Sequence, residues 1–203
     1  MTKLTTRWKE HWTGPIGAAP GQPMVTSDAG HGVSWGVLRR RLGAVDNDLR
    51  DFTWRKLTFG RGPGVMAPDW QHGAVSTVLL PQDAPSDLLD PRRLVERYEA
   101  EAFPGIKDLA CVAKIAIHRH DQVLREWPRI VRFAAAEFTE KRNMGCIAVL
   151  HTPSKSGVRR PSHVHLIAPA RELGRDGYGS FVRPFASDAG GPEIARAWRD
   201  WPA

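Results

Sequence analysis

The stretch Ile147-Ala148-Val149-Leu150-His151-Thr152-Pro153, followed after a loop by Pro161-Ser162-His163-Val164-His165-Leu166, decides how this chain is read. Each piece is an apolar run of strand length bounded by a proline. Residues two apart in a strand share a face, so His163 and His165 project together while Val164 and Leu166 point the other way. His151 ends the preceding strand. The eleven residues 152–162 between His151 and His163 let the two strands lie side by side, and His151 then approaches the pair from its neighbour. Three imidazoles on one sheet face are a donor set for a divalent cation, with positions left open for water or substrate. Such a site polarises a phosphoryl oxygen, the usual reason to combine it with a nucleic acid. The competing reading is three unrelated core or surface histidines, which is how a lone histidine would be read.

The rest of the chain supplies a sheet for these strands. Ala74 to Leu80 reads as a strand stopped by Pro81. Asp90-Pro91 then opens a helix, with Asp90 as N-cap and Pro91 at the first helical position. Leu94, Val95, Tyr98 and Ala102 continue it until Pro104. Cys111 to Ile117 is a second strand. Residues 121–142 form the clearest helix, with Leu124, Trp127, Val131, Phe133, Ala134 and Phe138 on its apolar face and Pro128 near its start. Gly145 to Leu150 and His163 to Ala168 are the third and fourth strands, and Glu193 to Trp201 is a closing amphipathic helix. This order predicts an α+β domain with a central antiparallel or mixed sheet flanked by helices. Residues 1–30 read as a loose tail, punctuated by Gly14-Pro15, Gly17, Pro20-Gly21 and Pro23 and anchored only by Trp8 and Trp12. The domain is expected over residues 31–203. Val33 to Leu38 is a short strand or helix that periodicity does not decide, and residues 57–70 are turn-rich.

Composition narrows the classes. The 203 residues are 41% hydrophobic and 25% charged, ordinary for one globular domain. No apolar run approaches the roughly 18–20 residues of a membrane helix, and Met1 to Ala18 lacks the apolar core of a secretory signal. The net charge of +7 favours polyanions, nucleic acid before membrane surface, against the plain alternative of a solvated basic surface. Cys111 and Cys146, each inside an apolar run, read as buried free thiols in a cytoplasmic protein.

Positive charge gathers around the histidines in sequence. Arg159-Arg160 directly precedes Pro161-Ser162-His163, Lys155 lies before them, and Arg171, Arg175 and Arg183 follow. These side chains suit phosphate contacts, which give affinity without sequence readout; the alternative is loops that only solubilise. A second pair, His118-Arg119-His120, has the same spacing but a charged middle residue, and reads as a solvent-facing strand end.

Taken together, these residues resemble the MobA/MobL family of plasmid-mobilisation relaxases, within the wider His-hydrophobe-His endonucleases. The resemblance begins near Asp51-Phe52-Thr53-Trp54-Arg55-Lys56 and continues through Val78-Leu79-Leu80-Pro81-Gln82-Asp83-Ala84-Pro85 and the helix from Leu94 to Glu101. Val149-Leu150-His151-Thr152-Pro153 is similar to the segment with the family's first histidine ligand, and Pro161-Ser162-His163-Val164-His165-Leu166 to its signature strand. Arg171-Glu172-Leu173-Gly174-Arg175-Asp176-Gly177-Tyr178-Gly179 resembles the loop after that strand, and Ile194 to Trp198 the closing helix. The resemblance spans roughly residues 50–201 and is most specific over 149–181.

It implies a relaxase-like fold and a cytoplasmic, metal-dependent endonuclease of conjugation, with magnesium or manganese at His151, His163 and His165. Single-stranded DNA of a plasmid transfer origin would be the partner, contacted by Lys155, Arg159, Arg160 and Arg175, with accessory transfer proteins alongside. Family members attack DNA with a tyrosine on an N-terminal helix, upstream of the segment matching Asp51. This chain departs there, because residues 1–97 contain no tyrosine. Tyr98 falls on the first long helix, and Tyr178 lies in the loop after the histidine strand. Ser34 and Thr53 offer hydroxyls but no adjacent base. The expectation is therefore metal and DNA binding without a covalent DNA adduct. Two alternatives stay open: a non-enzymatic DNA-binding accessory protein on the same fold, and an unrelated metal-dependent phosphoester hydrolase.

Overall fold

A computed structural model of the chain describes residues 24–58, 74–153 and 161–202, apart from the side chain of His120. The fold is α+β. Its centre is a six-stranded sheet in the order β1-β2-β6-β8-β7-β5, antiparallel at every pairing. The strands are β1 (Thr26–Gly30), β2 (Val33–Arg39), β5 (Val75–Leu79), β6 (Asp108–Ile117), β7 (Cys146–His151) and β8 (Ser162–Pro169). Two small ribbons accompany it, β3 (Arg41–Leu42) with β4 (Val45–Asp46) and β9 (Arg171–Gly174) with β10 (Gly177–Phe181). The α-helices among the described residues are α1 (Leu49–Leu57), α2 (Pro91–Ala100), α3 (Val123–Ala134) and α4 (Gly190–Asp200).

Alternation along the strands builds a core on each face of the sheet. Val164, Leu166 and Ala168 of β8 join Cys111, Ala113 and Ile115 of β6 and Ala148 of β7 on one face. Ile130, Phe133 and Ala134 of α3 and Ile194, Ala195 and Trp198 of α4 close that face. On the other face Ala110, Val112, Ile147, Val149 and Ile167 meet Leu49, Phe52 and Leu57 of α1 and Leu94, Val95 and Tyr98 of α2. Helix α4 sits flush on Trp35, whose indole N–H donates to the Ser187 carbonyl at 3.0 Å. A Cβ at Gly190 would lie 2.5 Å from the Trp35 ring, so only glycine permits that approach. Both cysteines are buried and free, and burial pushes both thiols up.

Most elements follow the sequence expectations, and the departures have physical reasons. Asp90 caps α2 as expected, its carboxylate accepting from the Arg92 and Arg93 amides. Val33 to Leu38 is a strand, because β1 and β6 pair on either side of it. Pro128 lies inside α3 and not near its start. The carbonyl it leaves without a partner is that of Leu124, and both residues are exposed, so water can serve it. The helix then changes to a π-helix over Ala135–Glu140. The sheet starts on the N-terminal side of residue 31, with β1 paired to β2 and Met24 buried. The tail segment 1–23 and residues 59–70 of the turn-rich stretch lie outside the described residues.

Candidate metal centre

Antiparallel register brings the three histidines together. His151 of β7 stands directly opposite His163 of β8, and Val149 stands opposite His165. All three side chains therefore leave the face shared with α1 and α2. The ring centroids are 5.2 Å apart for His151–His163, 4.8 Å for His151–His165 and 4.9 Å for His163–His165. One ligand nitrogen from each lies within 4.8 Å of the others. With metal–nitrogen bonds of about 2.0–2.1 Å, that spacing suits a shared cation after small ring rotations.

Hydrogen bonds orient two of the rings. His151 Nε2 lies 2.8 Å from the Lys56 carbonyl at the end of α1, and His163 Nδ1 lies 3.1 Å from the Pro161 carbonyl. A carbonyl only accepts, so these nitrogens carry the protons and leave Nδ1 of His151 and Nε2 of His163 as lone-pair donors. His165 is 5% exposed, and its Nδ1 is buried without a hydrogen-bond partner among the described residues. A buried imidazole nitrogen with nothing to bond is costly unless something occupies it. These observations fit a cation.

Electrostatics keeps the rings neutral. Burial first, then Lys56, pulls His151 down to about 4. Burial, followed by His151, pulls His163 down to about 3, and His165 falls well below its ordinary value for the same first reason. Neutral imidazoles are what a metal requires. Lys56, 4% exposed, is itself lowered to about 7 by burial and by Lys114.

The other expected site residues divide. Lys155, Arg159 and Arg160 lie outside the described residues. Arg175 is exposed in the β9–β10 turn, beyond the end of β8 that points away from the histidines. The four steps from His165 to Pro169 alone carry the chain about 13 Å off at about 3.3 Å each. Arg171 donates to the carbonyls of Glu101, Tyr178 and Gly179 and so ties the β9–β10 ribbon to α2. Both tyrosines are structural. Tyr98 is fully buried and donates to the Asp108 carbonyl. Tyr178 donates to the Leu94 carbonyl at 3.2 Å and packs edge-on against Tyr98. Burial raises the pKa of each, which opposes use as a nucleophile. Thr53 is buried as well. His118 and Arg119 are exposed just past β6, as a strand end should be.

Two residues near the triad are not site candidates in the sequence reading. Lys56 arrives from α1 through tertiary packing alone. Lys114 had a signal, a charge inside the apolar run Ala113-Lys114-Ile115, and stands opposite His165.

No family model and no curated protein matches the chain. A solved structure described as the molecular basis of vancomycin resistance transfer in Staphylococcus aureus overlaps it at 16% identity with a TM-score of 0.48. That overlap covers 61% of this chain, which spans 64% of the other. A likeness this loose carries no argument.

Proposed function

We propose that this chain is a relaxase-like protein of plasmid mobilisation that binds a divalent metal and single-stranded DNA without bonding covalently to it. The observation that supports the reading best is the convergence of His151, His163 and His165 on one sheet face, with nitrogens within 4.8 Å. The resemblance of the segments around them to MobA/MobL relaxases gives that site its substrate. When bound, the ion would polarise a phosphoryl oxygen. An all-imidazole donor set favours a transition-metal dication over magnesium, so manganese is the better of the two expected ions.

The chain's own residues would do the rest. The Lys56 and Pro161 carbonyls hold two of the rings in their ligand tautomers. The net charge of +7 and the basic residues Lys155, Arg159 and Arg160 next to the histidine strand would draw in the DNA backbone. Arg175 joins this interface only if the DNA extends along the sheet. No described helix is long and apolar enough to cross a membrane, and a cytoplasmic location for this domain, which takes in β1, is part of the same proposal. Burial of Tyr98 and Tyr178 favours, as second reading, a non-enzymatic accessory protein on this fold.

The test is incubation with single-stranded transfer-origin oligonucleotides and Mn²⁺, followed by native and denaturing electrophoresis. Retarded DNA in the native gel and no protein–DNA adduct in the denaturing gel is the expected pair of results. An adduct would overturn the non-covalent reading, and absence of DNA binding would overturn the whole proposal.

A further inference from the structure

We infer that the cavity at the sheet end away from the histidines is a stacking site for one base of a single-stranded polynucleotide. Phe103 is its stacking ring, and Lys107 and Arg183 are its phosphate contacts. The inference rests on the nucleic-acid reading above and adds to it a second contact point, well away from the metal centre.

The cavity opens where β6 starts and β10 ends. Its volume is about 460 Å³, and Phe103, Ile106, Lys107, Asp108, Phe181 and Arg183 are among its walls. That size is usual for a ligand pocket. Lys114 of β6 stands opposite His165, and the six steps back to Asp108 cover about 20 Å at about 3.3 Å each. The cavity and the triad therefore lie at opposite ends of the sheet.

Local sequence fixes the ring. Phe103-Pro104-Gly105-Ile106 is a turn in which the Ile106 amide donates to the Phe103 carbonyl at 3.2 Å and Gly105 takes φ +88°. Proline then glycine at the two central positions is the pattern of a type II turn. Phe181 meets the Phe103 ring edge-on at 6.1 Å. The Arg171 guanidinium, tied to three carbonyls, lies 5.9 Å from the same ring. Phe103 nevertheless stays 49% exposed. A lone exposed phenylalanine would mean little; this one is braced beside a cavity that two cations also line.

The charges select the occupant. Asp108 in the cavity wall and Asp188, next to the lining residue Ser187, both pair with Arg39, at 3.6 Å and 3.1 Å. Lys107 and Arg183 are exposed, and among the described residues neither side chain has an ion-pair partner. Arg183 is one of the basic residues that follow the histidine strand in sequence, and the metal centre leaves it unused. A nucleotide offers a π-face to the ring and a phosphate to the cations, the combination on which single-strand binding rests. An apolar peptide would use the ring and leave both cations unpaired.

Fluorescence anisotropy on the full chain tests this with labelled oligothymidylate, oligouridylate and an abasic deoxyribose-phosphate strand of equal length, in EDTA and again with MnCl₂. Phe103→Ala should weaken oligothymidylate binding about tenfold in both conditions, as for loss of one stacked base, and leave the abasic strand within about twofold of the parent. Phe103→Trp should stay within about threefold of the parent on oligothymidylate. Lys107→Met and Arg183→Met should each make the salt slope shallower by about 0.7, for one phosphate contact to a single strand. Unchanged oligothymidylate affinity in Phe103→Ala, with the parent binding, would overturn the assignment, leave the DNA reading standing and give the cavity to a protein partner. Equal losses on oligothymidylate and the abasic strand would overturn it as well, since the ring would then act only through the fold. Phe103-dependent binding of oligouridylate with no binding of oligothymidylate would support the stacking site and sink the DNA reading. Failure of the parent to bind any strand would overturn both.

Discussion

The two faces of the sheet are made by the same strands and have opposite tasks. Along β8, Val164, Leu166 and Ala168 enter a closed apolar core under α3 and α4. One residue out of phase, His163 and His165 stand on the face of α1 and α2, where the core gives way to polar groups. The closed face holds the strands in register, and that register places His151 opposite His163. A one-residue slip of β8 would turn His163 and His165 into the apolar core and away from His151. The comparison teaches that stability and chemistry are separable here, one face each.

Breaking the closed face should cost most. Phe133 is fully buried and meets Trp198 and Trp201 edge-on. Phe133→Ala should cost about 3–5 kcal/mol of unfolding free energy in a denaturant titration. A loss under about 1 kcal/mol would show that this face is not the structural one.

Acid should act through the open face. His151 and His163 sit at about 4 and about 3 in the folded chain, below an unfolded histidine near 6.5. The unfolded chain then binds more protons between those values, so metal-free stability is whole above pH about 6.5 and falls as pH drops toward 4 and then 3. Replacing both residues by Gln should flatten that part of the profile in urea melts recorded from pH 7 to pH 4. An unaltered acid slope would place the sensitivity elsewhere.

A smaller effect is expected at His165. Its buried Nδ1 has no partner among the described residues and burdens the metal-free fold, so His165→Leu should leave metal-free stability unchanged or raise it, by up to about 1–3 kcal/mol. A clear fall in the metal-free protein would mean that His165 is a packing residue after all.

Legibility in the sequence followed the locality of each signal. The triad could be read because period-two spacing and a histidine at a strand end survive without knowledge of the fold. The capped helix at Asp90-Pro91 was readable for the same reason. The short ribbons β3–β4 and β9–β10 are not legible, since two- to five-residue strands carry almost no periodicity, and α1, at nine residues, spans only about two and a half turns. Lys56 was invisible because only the packing of α1 brings its carbonyl to His151. Arg175 shows the converse case: it is near the histidines in sequence, but β8 runs on from His165 to Pro169 before the chain reaches it. Tyr178, in the loop after the histidine strand, is committed to the core by its hydrogen bond to the Leu94 carbonyl.

The most direct measurement of the central claim is calorimetric titration of Mn²⁺ into the parent chain and into His151→Ala, His163→Ala and His165→Ala. The account predicts one ion per chain for the parent and at least a tenfold loss of affinity in each variant, with circular dichroism spectra unchanged. Failure of the parent to bind Mn²⁺, or binding that survives all three substitutions, would contradict it.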